Sequence, residues 1–84
     1  SLSQNYPNPF NPVTKINFAL PKQRIVSLKI YDVLGREVKT LVNEIKTAGF
    51  YSVDFNGNDF ASGVYFYRLE SASFKDTKRM LLIK

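Results

Sequence analysis

The strongest candidate for metal chemistry is a cluster of oxygen-bearing side chains in the segment Asp-Phe-Asn-Gly-Asn-Asp, residues 54–59. Carboxylate and amide oxygens at alternate positions are typical of the first half of a calcium loop. An EF-hand loop that starts at Asp54 needs glycine at its sixth position and glutamate at its twelfth, whereas this sequence has Asp59 and Tyr65 there. Alternation through Phe55 instead predicts a strand that ends near Asp54 and is followed by an ordinary turn. We therefore expect no metal site and no cofactor.

Catalytic chemistry lacks its usual residues, because the chain has no histidine and no cysteine. Histidine is the commonest general base, and cysteine supplies thiol nucleophiles and thiolate metal ligands. The serines thus have no His partner, and we expect no catalytic residues and no enzyme activity. Asp32 suits the first position of a type I turn, where its side chain accepts backbone N–H bonds. Gly35 suits the positive φ that closes a bulged hairpin.

The charge of the chain predicts a basic surface, since 12 Lys and Arg residues against 7 Asp and Glu residues give a net charge of +5. The excess is concentrated in the last ten residues, where a single acid, Asp76, accompanies Lys75, Lys78, Arg79 and Lys84. A basic surface can attract nucleic acid, an anionic glycan or a lipid headgroup. We interpret it mainly as the solvated surface of a soluble domain.

Aromatic residues are numerous, with five tyrosines and seven phenylalanines. Stacking on nucleic acid needs exposed aromatic side chains beside basic ones on one strand face. Most aromatics here share the parity of aliphatic neighbours, as Phe18 and Tyr67 do, so we expect them in a core and expect no nucleic-acid partner. An exposed aromatic strip for polysaccharide, from Tyr31, Phe50 or Phe66, stays open as an alternative.

Alternation of apolar and polar residues with period two dominates the chain and predicts strands with one face on a core. It covers residues 14–20, 26–32 and 51–55. The inward positions are Ile16, Phe18, Leu20, Val26, Leu28, Ile30, Tyr51, Val53 and Phe55. Residues 63–70 and 79–84 are apolar on both faces, which is typical of strands covered on both sides or lying at an interface. Turn-forming residues recur between these runs at intervals of about 8–14 residues, which favours an antiparallel sandwich over βαβ units.

Residues 36–48 carry a mixed signal, because apolar residues fall at the i, i+3, i+4 and i+7 spacing of a helix stripe. These residues are Val38, Leu41, Val42 and Ile45. The segment is short, includes β-branched residues and follows a hairpin turn. We therefore predict a strand at 36–42 paired with 25–32, and a loop at 43–48. The last turn is expected at 74–77.

Prolines stiffen the first twelve residues, because each one holds the preceding residue in an extended conformation. Asn and Pro at positions 8 and 9 suit the first two positions of a type I turn over residues 8–11. Tyr6 and Phe10 are then expected to plug one end of the sandwich. A docking role for the Pro-x-x-Pro pattern is the less favoured alternative.

Four stretches together resemble the C-terminal sorting domain of the type IX secretion system. They are QNYPNPFNPVTKINFALP, LKIYDVLGREVKTLV, AGFYSVDFNGNDFASGVYFYRL and KDTKRMLLIK, in the order and spacing of that family. The resemblance covers residues 4–84 and implies an all-β fold, an immunoglobulin-like antiparallel β-sandwich of about seven strands. It implies a function in carrying a larger passenger across the outer membrane of a Gram-negative bacterium, after transit through the periplasm. The passenger would be secreted or held at the cell surface, and the domain removed or exchanged there.

The resemblance also implies partners and recognition residues. The partners are the outer-membrane secretion machinery and an N-terminal passenger domain in the same chain, with the membrane involved only indirectly. Residues 1–12 would be a proline-rich linker from the passenger, and residues 13–84 the sorting domain. The recognised signal corresponds to Lys78, Arg79, Met80, Leu81, Leu82, Ile83 and Lys84. The structural motif residues correspond to Asn8, Pro9, Phe10, Asn11, Pro12, Asp32, Gly35, Gly63 and Tyr65.

The apolar last strand allows two interpretations. Its sequence, Arg-Met-Leu-Leu-Ile-Lys, can be presented as an edge for strand addition by a receptor, or it can simply complete the core. The alternative function is an immunoglobulin-like accessory or spacer domain, or a carbohydrate-binding module, of a secreted enzyme or a hook-capping protein. Because the chain begins at Ser1 and its one methionine is Met80, we expect it to be a piece of a longer protein.

Overall fold

The structure, a computed structural model, describes residues 1–72 and 74–84. Its strands in chain order are β1 (Val13–Leu20), β2 (Arg24–Tyr31), β3 (Glu37–Lys46), β4 (Gly49–Asn56), β5 (Gly63–Ser71) and β6 (Phe74–Leu82). They form two antiparallel sheets, one in the order β1-β4 and one in the order β3-β2-β5-β6. The predicted all-β antiparallel sandwich is confirmed, with six strands in the described residues in place of about seven.

Alternating apolar side chains of both sheets meet in one core. The buried apolar residues are Leu2, Phe10, Ile16, Phe18, Leu20, Val26, Leu28, Ile30, Val42, Phe55, Tyr65, Tyr67, Leu69, Met80 and Leu82. Full burial of one Val, Leu, Ile, Phe or Met side chain contributes about 1.5–3 kcal/mol to the free energy of unfolding. The inward parity predicted for β1 and β2 is confirmed, whereas Tyr51 and Val53 in β4 are only half-buried.

Residues 1–12, which we call the N-terminal arm, pair with the smaller sheet without becoming a strand. Two isolated antiparallel bridges join the arm to β1, Leu2 with Phe18 and Tyr6 with Lys15. Four steps along the arm therefore match three steps along β1. This shift in register interrupts the ladder, which is why the arm does not count as a seventh strand.

β3 is longer than the sequence predicts. The strand expected at 36–42 is confirmed, but pairing with β2 continues to Lys46. The loop predicted at 43–48 is therefore wrong for its first four residues. β3 is the edge strand of its sheet, so its end pairs through the backbone while Asn43 and Glu44 remain exposed. Exposed polar side chains on such an edge resemble a loop in the sequence pattern.

Two bulges explain the helix-like spacing in β3. The register with β2 shifts on either side of the pairs formed by Thr40 and Lys39, leaving Leu41 and Val38 as the extra residues. Each extra residue reverses the alternation of the strand. Val38 and Leu41 consequently both pack against the core beside buried Val42. The period of the apolar residues thus comes from an irregular strand.

β6 begins earlier than the sequence predicts, and the turn expected at 74–77 is wrong. These residues form the first half of β6, in regular register with β5 from the pair Phe74–Ser71 to the pair Leu82–Gly63. The run Lys-Asp-Thr-Lys has no apolar residue, because this half of β6 covers little of the core. The polar pattern of an edge strand therefore resembled that of a turn.

The oxygen-rich segment at 54–59 forms a strand end and a turn; the turn is confirmed, but β4 continues to Asn56, two residues beyond the strand end expected near Asp54. The carboxylate of Asp54, in β4, binds the ammonium of Lys15 at 2.7 Å. Oδ1 of Asn56 accepts the N–H of Asn58 at 2.9 Å. In the part of the chain that the structure describes, no three His, Cys, Asp or Glu side chains are grouped so that they could hold a metal ion. None of the described residues belongs to a helix long and apolar enough to cross a membrane.

Candidate functional site

Residues from distant parts of the sequence meet at one end of the sandwich. Phe10 of the N-terminal arm forms a parallel bridge with Leu82 at the end of β6. Within the larger sheet, Leu82 is opposite Gly63 and Met80 is opposite Tyr65. The hairpin turn between β2 and β3 borders the same cavity, of about 380 Å³, as the start of β5. We call this region the motif end; it comprises residues 8–12, 32–35, 63–65 and 80–84.

The N-terminal arm covers the outer backbone edge of β6 at the motif end. The N–H of Phe10 donates to the carbonyl of Leu81 at 3.0 Å, and the N–H of Ile83 donates to the carbonyl of Phe10 at 2.9 Å. Asn8 extends this pairing, since its Oδ1 accepts the N–H of Leu81 at 3.0 Å. Both backbone groups of Leu81 thus have partners inside the chain, although β6 is an edge strand.

Phe10 also anchors the arm in the core, as predicted. Its side chain is 2% exposed, and its ring meets that of Phe55 edge-on with centroids 5.9 Å apart. Phe55 contacts Phe60 at 5.6 Å, and Phe60 contacts Tyr65 at 6.0 Å. Aromatic pairs of this kind add about 0.5–1.5 kcal/mol beyond the burial of their surface. The motif end is therefore held together by a chain of four aromatic rings.

Tyr6 does not lie in the core beside Phe10. Its side chain is 81% exposed, so the expectation that it plugs the sandwich is wrong. Tyr6 and Lys15 exchange both of their backbone hydrogen bonds at 3.0 Å. This pairing directs the Tyr6 side chain to solvent and the neighbouring Asn5 side chain inward.

The type I turn predicted over residues 8–11 is not formed. The chain bends at residues 7–9 and again at 11–12, and the backbone of Phe10 binds β6 instead of closing a local turn. The peptide bonds before Pro7, Pro9 and Pro12 are cis.

Lys84, the last residue of the segment 78–84 that we call the tail, is held by the loop between β4 and β5. The ammonium of Lys84 donates to the carbonyl of Phe60 at 2.7 Å and also to that of Asn58. Its backbone N–H donates to Oγ of Ser62 at 3.0 Å. The tail therefore folds back onto the domain at its final residue.

The same loop approaches Leu82 at Gly57, a residue that the sequence did not mark as functional. The N–H of Gly57 donates to the carbonyl of Pro12 at 2.7 Å. A Cβ atom at Gly57 would lie 2.9 Å from Cδ2 of buried Leu82, closer than packed atoms come. A larger residue here would displace the buried Leu82 side chain, a packing constraint that a turn-forming Asn-Gly pair does not reveal by itself.

Residues 78–84 divide between the core and the surface. Met80 and Leu82 are 1% and 0% exposed, so they complete the core. Arg79 and Ile83 are exposed, and Leu81 is 36% exposed. The two interpretations of this segment therefore concern different residues of it: alternate side chains are structural, and the others are available to a partner.

Asp32 closes the hairpin between β2 and β3, as predicted. Its Oδ1 accepts the N–H groups of Leu34 at 2.9 Å and Arg36 at 3.0 Å, and its Oδ2 binds Nε of Arg36 at 2.8 Å. Gly35 has the expected positive φ, +82°. The hydrogen bond from the Arg36 N–H, helped by the Arg36 guanidinium and the Leu34 N–H, lowers the pKa of Asp32, against an opposing effect of desolvation.

Acidification is expected to weaken this turn, and Asp32→Asn to remove that part of the pH dependence. Because the pKa of Asp32 is lower in the folded chain than in the unfolded chain, its stabilisation is present above the unfolded pKa. It is lost as the pH falls through the folded pKa. Urea unfolding at neutral and acidic pH measures the effect: the wild type should lose more stability on acidification than Asp32→Asn. Equal losses would contradict this assignment.

A buried polar network joins the N-terminal arm to the core. The N–H of Asn5 donates to the hydroxyl of Tyr67 at 2.7 Å, and that hydroxyl donates to the carbonyl of Ser3 at 2.7 Å. Nδ2 of Asn5 donates to Oγ1 of Thr14 at 3.0 Å, and Oγ1 donates to the carbonyl of Pro7 at 2.8 Å. Sequence reasoning missed this network. Its one signal was an inward tyrosine, whose hydroxyl needs a partner when buried.

The aromatic residues considered for polysaccharide binding lie on two different sheets. Tyr31 and Phe66 are opposite each other in the larger sheet, and the Arg68 guanidinium lies 4.8 Å from the Tyr31 ring centroid. Phe50 is 93% exposed but belongs to β4 in the smaller sheet. Tyr31 and Phe66 are half-buried, so the outer face of β5, interpreted from the sequence as covered or at an interface, is only partly covered within this chain.

One family model matches nearly the whole chain. Residues 4–84 match the model of the family described as the secretion system C-terminal sorting domain. No curated protein matches the chain, and no solved structure does. The match includes the N-terminal arm from Gln4 onward as well as the six strands.

Proposed function

Because the chain belongs to the secretion system C-terminal sorting domain family, we propose that it directs a passenger in the same polypeptide through the type IX secretion system. Members of this family act as sorting signals and not as catalysts. The destination that follows is secretion or attachment at the cell surface of a Gram-negative bacterium, after transit through the periplasm. Removal or exchange of the domain at the surface is part of the proposal.

The observation that carries the proposal is the family match over residues 4–84. The geometry of the motif end supports it, because the first and last stretches of the matched sequence contact each other directly through Phe10 and Leu82. We infer that the machinery recognises the folded domain, since a site made from both ends of the sequence exists only after folding.

The recognition residues that we propose are those of the tail, residues 78–84, acting with the motif end around them. Exposed side chains on the outer face of β6 can contact the secretion machinery without disturbing the core. Arg79 and Leu81 in β6, and Ile83 directly after it, are exposed, whereas Met80 and Leu82 are buried. The former residues would be read by the machinery, and the latter would keep the signal in its folded shape.

Export of a reporter tests the proposal. A periplasm-directed reporter fused ahead of this domain should reach the surface or medium of a type IX-competent host, and deletion of residues 78–84 should leave it in the periplasm. That deletion also removes two core residues. The sharper variant is therefore Leu81→Ser combined with Ile83→Ser, which changes exposed side chains and is expected to lower export about tenfold, the equivalent of about 1.4 kcal/mol of recognition.

A matched control lies in the same sheet. Ile25 and Ile45 face each other across β2 and β3 and are 64% and 61% exposed. Ile25→Ser with Ile45→Ser makes the same chemical change at exposed positions distant from the tail, and export should be unaffected. Reporter that stays in the periplasm with the intact domain would overturn the proposed function. Equal export of both double variants would overturn the role of the tail surface.

A further inference from the structure

The outer edge of β6 is open over its first half. Leu81 directs both of its backbone groups toward the N-terminal arm. Backbone groups of alternate residues in a strand point the same way, so those of Lys75, Thr77 and Arg79 also point outward. At Arg79 the carbonyl is taken by Nε2 of Gln4 at 2.7 Å. The N–H of Arg79 and both backbone groups of Thr77 and Lys75 face the side of β6 that has no neighbouring strand.

The second half of the same edge shows that it can accept an extended segment. There the N-terminal arm lies beside β6 and forms strand-like hydrogen bonds through Phe10, at 2.9 and 3.0 Å. The Gln4 side chain already contacts β6. Among the described residues of the arm, however, none before Phe10 pairs through its backbone with β6. An added strand could therefore continue along β6 from Arg79 toward Lys75, over about 14 Å of edge at about 3.4 Å per residue.

The charge along the open edge is positive and unpaired. Lys75 and Arg79 are exposed and share one face of the strand with Thr77. The ion pairs among the described residues include neither these cations nor Lys78. Asp76 is the single acid of this half-strand and lies on the opposite face.

The other open edges differ from this one. β3 contains two bulges, which disfavour the addition of a further strand. β4 is regular, but its single charged residue, Asp54, is already paired with Lys15 at 2.7 Å. β6 alone among these edges in the described structure is regular, basic and continuous with the proposed recognition residues.

We propose that the outer edge of β6 from Lys75 to Arg79 binds an extended acidic segment of a partner protein, which adds to the sheet as a strand. Its backbone pairs with Lys75, Thr77 and the N–H of Arg79, and its carboxylates at alternate positions face the two cations. This inference deepens the proposed function and rests on it for the identity of the partner as secretion machinery. The binding reaction itself is testable with the isolated chain.

The test uses a fluorescent peptide of about seven residues, long enough to cover this edge, in which Glu and Val alternate. Fluorescence anisotropy should show saturable binding to the 84-residue chain that weakens as salt rises. A peptide with Lys in place of Glu should bind about tenfold more weakly or not at all, as like charges at an interface disfavour association. The double variant Lys75→Glu with Arg79→Glu should reverse that preference.

The backbone part of the proposal is tested at Thr77. Thr77→Pro removes an outward N–H, a change that edge strands tolerate. Thr77→Val keeps the N–H, and both variants lose the same contact of the hydroxyl with Nε of Arg68 at 3.3 Å. The Glu peptide should bind the proline variant about tenfold more weakly than the valine variant, since one backbone hydrogen bond between Thr77 and the peptide is lost.

Amide hydrogen exchange of the unmodified chain makes the test independent of how the proline variant folds. The Glu peptide should slow exchange at Thr77 and Arg79 and leave the amides of β4 unchanged. Absence of saturable binding, equal affinity for both peptides or unchanged exchange at Thr77 would each overturn the proposal. Lys75 and Arg79 would then guard the edge against pairing. Because no secretion assay is involved, such a failure is distinct from failure of the proposed function.

Discussion

Phe10→Ala is expected to lower the free energy of unfolding by about 4 kcal/mol, within the range of buried Phe truncations. Phe10 is 2% exposed, and its ring contacts Phe55 with centroids 5.9 Å apart. The loss of unfolding free energy should be larger than for an ordinary core truncation. Without the ring, the backbone hydrogen bonds of residue 10 with Leu81 and Ile83 are no longer held in place by a buried side chain. Urea unfolding, followed by circular dichroism, measures the change.

Tyr6→Ala is the matched control for this substitution. Tyr6 belongs to the same arm and is also an aromatic residue next to a proline, but its side chain is 81% exposed. Its truncation should change stability by no more than about 0.5 kcal/mol. Similar losses for the two variants, or a loss below about 1 kcal/mol for Phe10→Ala, would contradict the assignment of Phe10 as the anchor of the arm.

Tyr67→Phe is expected to cost about 1–3 kcal/mol, because it leaves buried polar groups without a partner. The Tyr67 side chain is fully buried, and its hydroxyl accepts the N–H of Asn5 and donates to the carbonyl of Ser3, both at 2.7 Å. Phenylalanine keeps the ring but removes both bonds. Tyr51→Phe is the control: its hydroxyl bonds the Thr47 carbonyl at an exposed position, so a change within about 0.5 kcal/mol is expected.

The difference between wild type and Tyr67→Phe should also depend on pH. Burial raises the pKa of Tyr67 to about 12, with Asp76 adding to the rise and the Asn5 N–H opposing it. The folded chain therefore holds this proton more tightly than the unfolded chain, so stability falls as the pH rises from about 10 to about 12. Tyr67→Phe lacks this loss. Urea unfolding at about pH 9 and about pH 11 should show the gap between the two proteins narrowing; a constant gap would contradict the assignment.

The sequence predicts the sandwich well wherever a strand has one face on the core. Ile16 and Phe18 in β1, and Leu28 and Ile30 in β2, are buried at the predicted parity, because burial fixes which face of a strand is apolar. The hairpin turn between β2 and β3 was predictable because its requirements are local. An aspartate that accepts backbone N–H bonds and a glycine at positive φ are local requirements, visible within four residues.

The solvent-exposed segments of the edge strands β3 and β6 were the part that the sequence could not predict. The first half of β6 and the end of β3 pair through their backbones, while their side chains remain in solvent. Lys75 and Asn43 therefore carry no sign of strand structure in their residue types. In β3 the bulges at Val38 and Leu41 additionally replaced simple alternation with a helix-like spacing. Hydrophobic periodicity in a sequence reports which side chains are buried, and few side chains in these two segments are buried.

The candidate site was predictable in part. Resemblance to the family marked Phe10, Gly63 and Leu82, but their contact across the two ends of the sequence is a property of the tertiary fold. Gly57 and the network around Asn5 were missed because each depends on a neighbour distant in sequence. An asparagine in a proline-rich segment gives no signal that Tyr67 and Thr14 enclose it.

The path of the N-terminal arm has a mechanical consequence for a passenger attached ahead of it. Ser1 lies beside Ala19, at the end of the sandwich where β5 turns into β6, and Lys84 lies at the opposite end. The molecule is 37 Å long and 17 Å thick. Tension between the passenger and a tail gripped by the machinery would therefore run along the strands. Hydrogen bonds between the arm and β1 would be loaded together in shear instead of being peeled open one at a time, so they would resist such tension jointly.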